Sequence, residues 1–199
     1  MDKSTKIKYS TSIKIQPENV FFFDMDGTLI ETDFANYLSY KRAIETVMKV
    51  DNDFFCTPHK RFNRGNLKTS FPNLTDCEYD SIIQKKEENY QEYLSYTKLN
   101  QSLVDILTKY AKTNKTVLVT NCRQDRALMT LNYHNLTEKF SNLFFRKLSQ
   151  DSQKINKFHN AIMSLGVNPN TVIVYENEEN EVLDAVSAGI KYINPIIKI

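Results

Sequence analysis

Asp24 and Asp26 stand two residues apart, directly after the apolar run Val20-Phe21-Phe22-Phe23, and Gly27 and Thr28 follow them. A short continuous apolar run of this kind reads as a strand buried on both faces. In an open parallel sheet, ligands gather off the carboxyl ends of the strands, so both carboxylates are placed to serve one site. Two carboxylates this close repel each other unless a cation neutralises them. One of them can be a nucleophile and the other a general acid and base. Gly27 lets the backbone turn sharply and approach a ligand, and Thr28 adds a hydroxyl.

The elements that must position these residues are legible along the chain. Apolar spacing predicts a helix over Phe34–Val50. A less regular stretch follows, Asp51–Asn73, which contains Pro58, Gly65 and Pro72. Thr75 and Glu78 form a capping-box pattern, so a helix should start there and run through IIQKKEENYQEYL. Ser102–Lys112 reads as a further helix. From Thr116 onward short apolar strands alternate with helices: strand Thr116–Val119, helix Arg123–Tyr133, strand Leu143–Phe145, helix Ile155–Leu165 stopping near Gly166, strand Thr171–Tyr175, a helix to Ala188, and a last strand beginning at Tyr192. That alternation implies βαβ units and a parallel sheet. The stretch from Glu31 to Leu99 is too long for one crossover helix and reads as a helical insertion.

Composition bounds the function classes. The chain has 199 residues, 41% hydrophobic and 25% charged, which suits one globular domain with a modest insertion. A formal net charge of +2 makes no case for a nucleic-acid or membrane-surface partner. Cys56, Cys77 and Cys122 are odd in number and fit no metal knuckle, so a reduced, cytoplasmic setting is expected. The first residues lack the apolar stretch of a signal peptide, and no apolar run approaches the roughly 20 residues of a membrane helix. IKYSTSIKI near the N-terminus is either a loose tail, with residues 1–16, or a short edge strand.

The segment FFFDMDGTLIETD closely resembles the first motif of the haloacid dehalogenase-like phosphatases, and the helical insertion after it is similar to the cap of the branch that holds β-phosphoglucomutase and phosphoglycolate phosphatase. The resemblance implies an α/β fold: a Rossmann-like parallel sheet flanked by helices, with an inserted helical cap. The core would comprise 1–30 and 100–199 and the cap 31–99. It implies that Asp24 attacks phosphorus to form an aspartyl phosphate. Asp26 would protonate the leaving group and then activate water. The family's transport ATPases generally carry threonine at that second position, so Asp26 points to a hydrolase or a mutase.

The remaining site residues follow from the same resemblance. Thr120, at the end of TVLVT, matches the hydroxyl residue that holds a phosphoryl oxygen, and Asn121 would offer a backbone amide. Lys154 lies about where the family places its site lysine, with Lys147 and Lys157 as competitors. Register on Ala188-Gly189-Ile190 puts Glu176 and Asn177 at the acidic metal-binding pair, and Glu181 where a second Asp is common. Mg²⁺ is the implied cofactor, held by Asp24, Asp26, and Glu176 or Asn177. Asn177 departs from the family pattern and removes one negative charge, although its amide oxygen is a hard ligand that Mg²⁺ accepts.

In the cap, Arg64 and Lys86 match positions that face an anionic substrate, and Asn36 stands where the mutase branch has a histidine, which favours hydrolysis. The expected activity is therefore Mg²⁺-dependent hydrolysis of a small phosphorylated metabolite by a monomer. A phosphomutase on the same fold is the first rival. A binding or regulatory protein on a weakened phosphatase fold, suggested by Asn177, is the second.

Overall fold

A computed structural model describes residues 14–48, 62–147 and 155–196. The chain divides into two compact units, one formed by Met1–Ile30 with Leu99–Ile199 and the other by Glu31–Lys98. Most of IKYSTSIKI, and Lys154, lie outside the described residues.

The first unit is built on five parallel strands in the order β5-β4-β1-β6-β7. These are β1 (Val20–Phe23), β4 (Lys115–Val119), β5 (Asn142–Phe144), β6 (Val172–Glu176) and β7 (Tyr192–Pro195). β1 is central, with Phe21 in register with Thr116 on one side and Ile173 on the other. All four β1 residues are buried, which is why the run shows no polar alternation: helices cover both faces of the sheet.

On one face Phe21, Phe23, Leu118 and Ile173 pack with Leu103 and Leu107 of α4 (Gln101–Tyr110) and with Ala127 and Leu131 of α5 (Gln124–Tyr133). On the other, Phe22, Val117 and Val174 pack with Phe158 and Ile162 of α6 (Lys157–Leu165) and with Val182 and Ala185 of α7 (Glu179–Ser187). Each large side chain buried in this way contributes about 1.5–3 kcal/mol before the entropy of ordering it. α6 ends at Gly166, whose φ of 62° is the left-handed stop that glycine supplies.

The second unit is helical. α1 (Asp33–Met48) packs with α3 (Asp76–Asn89) around Tyr40, Ile44, Leu67, Ile82 and Ile83. The Thr75 hydroxyl accepts from the Glu78 amide while the Glu78 carboxylate accepts from the Thr75 amide, so the expected capping box forms. The segment predicted as one helix through Leu94 divides: α3 stops at Asn89 and Tyr90–Tyr96 tightens into a 3₁₀ helix. Within the stretch read as irregular, Arg64–Ser70 forms a short helix, α2, capped by Asn63 and Asn66 reciprocally. Two two-residue strands, β2 (Ile30–Glu31) and β3 (Lys98–Leu99), pair with each other where the chain passes from one unit to the other and back. No helix among the described residues is long and apolar enough to cross a membrane.

Candidate active site

The site grows from the carboxyl end of β1. Asp24 follows the last strand residue, and its amide still donates to the Tyr175 carbonyl of β6 at 3.1 Å, so its backbone is fixed by the sheet. The chain then folds back on itself: the Gly27 amide donates to the Ile30 carbonyl at 2.8 Å, and the Ile30 amide to the Met25 carbonyl at 3.0 Å. Gly27 has a φ of 78°, which a side chain would resist. Within this turn Asp24 and Asp26 are both buried. An isolated buried carboxylate is costly, and each of these has a cation against it.

Lys157 is the cation at Asp24. Its Nζ lies 2.7 Å from Asp24 Oδ1, 2.7 Å from Glu176 Oε2 and 3.7 Å from Glu181 Oε2. Burial works against the ammonium, but the charges of Asp24, Glu176 and Glu181 outweigh it and hold Lys157 above the ordinary lysine value. Its position is set locally. Asn156 caps α6, its side-chain oxygen accepting from the Phe158 and His159 amides, which makes Lys157 the first residue of the helix. The Asn156 amide group donates to the Asp184 carbonyl at 2.8 Å and so ties α6 to α7. Lys154, named first for this slot, lies outside the described residues; Lys157, one of its two competitors, is seated on Asp24 at the start of the helix that Asn156 caps. Lys147, the other competitor, donates at 3.3 Å to Asn160 in an exposed pair.

Glu176 ends β6 with no solvent exposure. Its Oε1 accepts from the Asn177 and Glu178 amides at 2.9 and 3.1 Å, and its Oε2 accepts from Lys157. Burial, and then the charge of Asp24, push its carboxyl up to about 8, with Lys157 pulling the other way. Every one of these three partners is a donor, an arrangement that suits the ionised carboxylate. Glu176 is thus committed to Lys157 and to two amides. Asn177 is the member of the pair whose oxygen faces the β1 turn: the Thr28 hydroxyl donates to Asn177 Oδ1 at 2.9 Å.

Thr120 follows β4 and is buried. Its amide donates to the Phe144 carbonyl at 2.9 Å and its oxygen accepts from the Cys122 amide at 3.1 Å. The hydroxyl proton finds no acceptor among the described residues, so it is available to an oxygen of a ligand. The side chain of Asn121 is held by Glu181, Nδ2 to Oε2 at 2.9 Å.

One contact had no counterpart in the sequence reading. Arg126, on α5, places Nη2 2.7 Å from Asp26 Oδ2, with side chains 14% and 7% exposed. Its Nε donates to Cys122 Sγ at 2.9 Å. The only signal for it in the sequence is helical spacing, Arg126 being one turn after Cys122.

The donor set fits a hard divalent cation. Among the described residues, Lys157 lies against the carboxyl groups of Asp24, Glu176 and Glu181, and Arg126 against that of Asp26. The oxygens near the turn are a carboxylate, peptide carbonyls and the Asn177 amide oxygen. Among the described residues no group of three or more His, Cys, Asp or Glu is placed to hold a metal ion; Mg²⁺ generally keeps several waters and takes few protein ligands.

The two cap residues singled out from sequence are described within the helical unit. Arg64 is the first residue of α2. Lys86 is buried in α3, its Nζ 3.3 Å from Glu87 Oε1 and 5.2 and 5.4 Å from the ring centres of Tyr40 and Tyr90, a cation–π seat that holds it inside the unit. Asn36 donates from Nδ2 to the Phe62 carbonyl at 2.6 Å.

Known proteins resemble the chain in sequence pattern and in fold. A model of the haloacid dehalogenase-like hydrolase family matches residues 21–194. The crystal structure of CbbY from Rhodobacter sphaeroides in complex with phosphate superposes with a TM-score of 0.72 at 15% identity, covering 90% of this chain and 87% of that one. A structure assigned as a phosphoglycolate phosphatase from Haemophilus somnus gives 0.71 at 17% identity, covering 92% and 91%. One assigned as a β-phosphoglucomutase from Thermotoga maritima gives 0.68 at 24% identity, covering 91% and 86%. At these identities the likeness is one of fold. No curated protein matches the chain in sequence.

Proposed function

The chain belongs to the haloacid dehalogenase-like hydrolase family, and from that premise we propose that it is a Mg²⁺-dependent phosphatase that hydrolyses a small phosphomonoester through an aspartyl phosphate on Asp24. The observation that carries the reading is the buried Asp24 carboxylate at the end of β1 with Lys157 at 2.7 Å, beside the Thr120 hydroxyl on the neighbouring strand end, whose proton has no acceptor among the described residues.

In this mechanism an Asp24 oxygen attacks phosphorus while the bond to the leaving oxygen breaks. That oxygen takes its proton from Asp26. Asp26 then removes a proton from water, whose oxygen attacks phosphorus and releases inorganic phosphate and Asp24. Lys157 offsets the repulsion between Asp24 and the incoming dianion, and Thr120 with the Asn121 amide donates to the phosphoryl oxygens. Asp24, the Asp26 carbonyl and Asn177 would hold Mg²⁺, with Glu176 behind them keeping Lys157 in place. The metal supplies charge neutralisation at the phosphoryl group. Arg64 is the cap residue assigned to an anionic part of the substrate; the seat of Lys86 inside the cap gives it a structural task.

Phosphate release from a panel of phosphomonoesters, including p-nitrophenyl phosphate, tests the reading. Release with Mg²⁺ that falls by roughly tenfold or more in EDTA is the expected result. Release only after a sugar bisphosphate is added would make the protein a phosphomutase. No release under any of these conditions would make it a binding protein on this fold.

A further inference from the structure

We propose that Arg126 is a positioning residue for the proton-transfer step: it fixes the Asp26 carboxylate in the orientation that serves leaving group and water. The inference rests on the phosphatase reading above, and it adds a residue outside the strand-end motifs. Asp26 lies in the turn after β1, where its backbone bridges to Ile30. α5 restrains its side chain. Nη2 of Arg126 donates to Asp26 Oδ2 at 2.7 Å in a pair shielded from solvent. The guanidinium is a rigid planar fork, and its Nε is held in turn by Cys122 Sγ at 2.9 Å. Nε and Nη2 lie on the same edge of the fork, so holding Nε against Cys122, just before α5, sets the direction in which Nη2 meets Asp26. A carboxylate that must give a proton to one atom and take one from another gains from such fixing, because displacement of about 1 Å can cost on the order of 10²-fold in rate.

The nucleophilic step and the proton-transfer steps respond differently to loss of this restraint. p-Nitrophenolate leaves without a proton, so Asp24 can still be phosphorylated from p-nitrophenyl phosphate when Asp26 is misplaced. Hydrolysis of the aspartyl phosphate needs Asp26 to take the proton of water, and an alkyl phosphate needs Asp26 for its leaving group as well.

The experiment compares wild type, Arg126→Met, Arg126→Lys, Asp26→Ala and the Arg126→Met/Asp26→Ala double variant on p-nitrophenyl phosphate and on an alkyl phosphate, with Mg²⁺ present. For Arg126→Met we expect a full burst of p-nitrophenol followed by a steady state slowed by about 10- to 100-fold. KM should stay within about twofold. The loss on the alkyl phosphate should be at least as large, and Arg126→Lys should recover part of the rate. The burst itself reports a folded, phosphorylatable site. On the Asp26→Ala background Arg126→Met should add little, since the two act as one unit. Full additivity, or a KM rise that accounts for the loss, would overturn the proposal and make Arg126 a direct substrate contact. A wild-type rate in Arg126→Met would also overturn it. Absence of turnover by the wild type would instead fail the phosphatase reading, and is thereby told apart.

Discussion

Asp24→Asn is expected to lower kcat by roughly 10⁴-fold or more while leaving the fold in place. The amide oxygen of Asn can still accept from Lys157, so the contact now made at 2.7 Å to Asp24 Oδ1 keeps its shape. Lys157 also keeps its contact with Glu176 at 2.7 Å, so folding stability should change by no more than about 1 kcal/mol. An uncharged amide is a poor nucleophile toward phosphorus, and the loss therefore falls on chemistry. Steady-state rates with a urea melt of the same preparation separate the two effects. A variant with near-normal kcat would remove Asp24 from the mechanism, and an unfolded variant would assign it a structural role.

The second large effect is expected at Lys157. Lys157→Met removes the cation that lies 2.7 Å from both Asp24 and Glu176 and 3.7 Å from Glu181, and so takes a positive charge away from buried carboxylates. Breaking a buried pair by deleting one partner costs about 3–5 kcal/mol, and urea denaturation should show a loss in that range. Turnover should fall as well, because Asp24 then meets a dianionic phosphate without a neighbouring positive charge. Lys154→Met supplies the contrast: it is expected to keep both stability and rate. If Lys154→Met is the inactive variant and Lys157→Met the active one, the site lysine is Lys154 and the ion pair of Lys157 serves the fold alone.

The difference between those two lysines shows where sequence reading stopped. The strand-end carboxylates were legible because a doubly buried strand leaves an unbroken apolar run, Val20–Phe23, and the acidic residues after it stand out. The βαβ alternation after Thr116 and the Thr75–Glu78 cap were legible for the same reason: each is local, and each has a periodicity or a fixed offset. Lys157 required the start of α6 to the residue. Asn156 is the available signal, an N-cap type one position before it, whereas apolar spacing alone starts the helix at Ile155. Helix α2 has no clear sequence signature because it is only seven residues long, contains Gly65, and is capped by an Asn–Asn pair in place of the usual Ser or Thr with Glu. β2 and β3 have two residues each, too few for any period to register.

The Arg126–Asp26 pair spans 100 positions in the chain and belongs to no motif. Only the packing of α5 beside β1 makes it. Asn177 lies between these cases. From sequence it was a lost charge; in the fold its oxygen takes the Thr28 hydroxyl and stands over the turn that carries both aspartates. Glu176, which kept its charge, is turned toward Lys157 and the amides that open the α7 loop.

The central claim is that phosphoryl passes through Asp24, and reductive trapping tests it most directly. The enzyme would be quenched during turnover of a phosphomonoester with Mg²⁺, treated with borohydride, digested and read by mass spectrometry. An aspartyl phosphate is reduced to homoserine, so the account predicts homoserine at position 24, dependent on substrate and absent elsewhere in the chain. Homoserine at position 26, or steady turnover with an unmodified Asp24 under conditions that trap a chemically phosphorylated control, would contradict it.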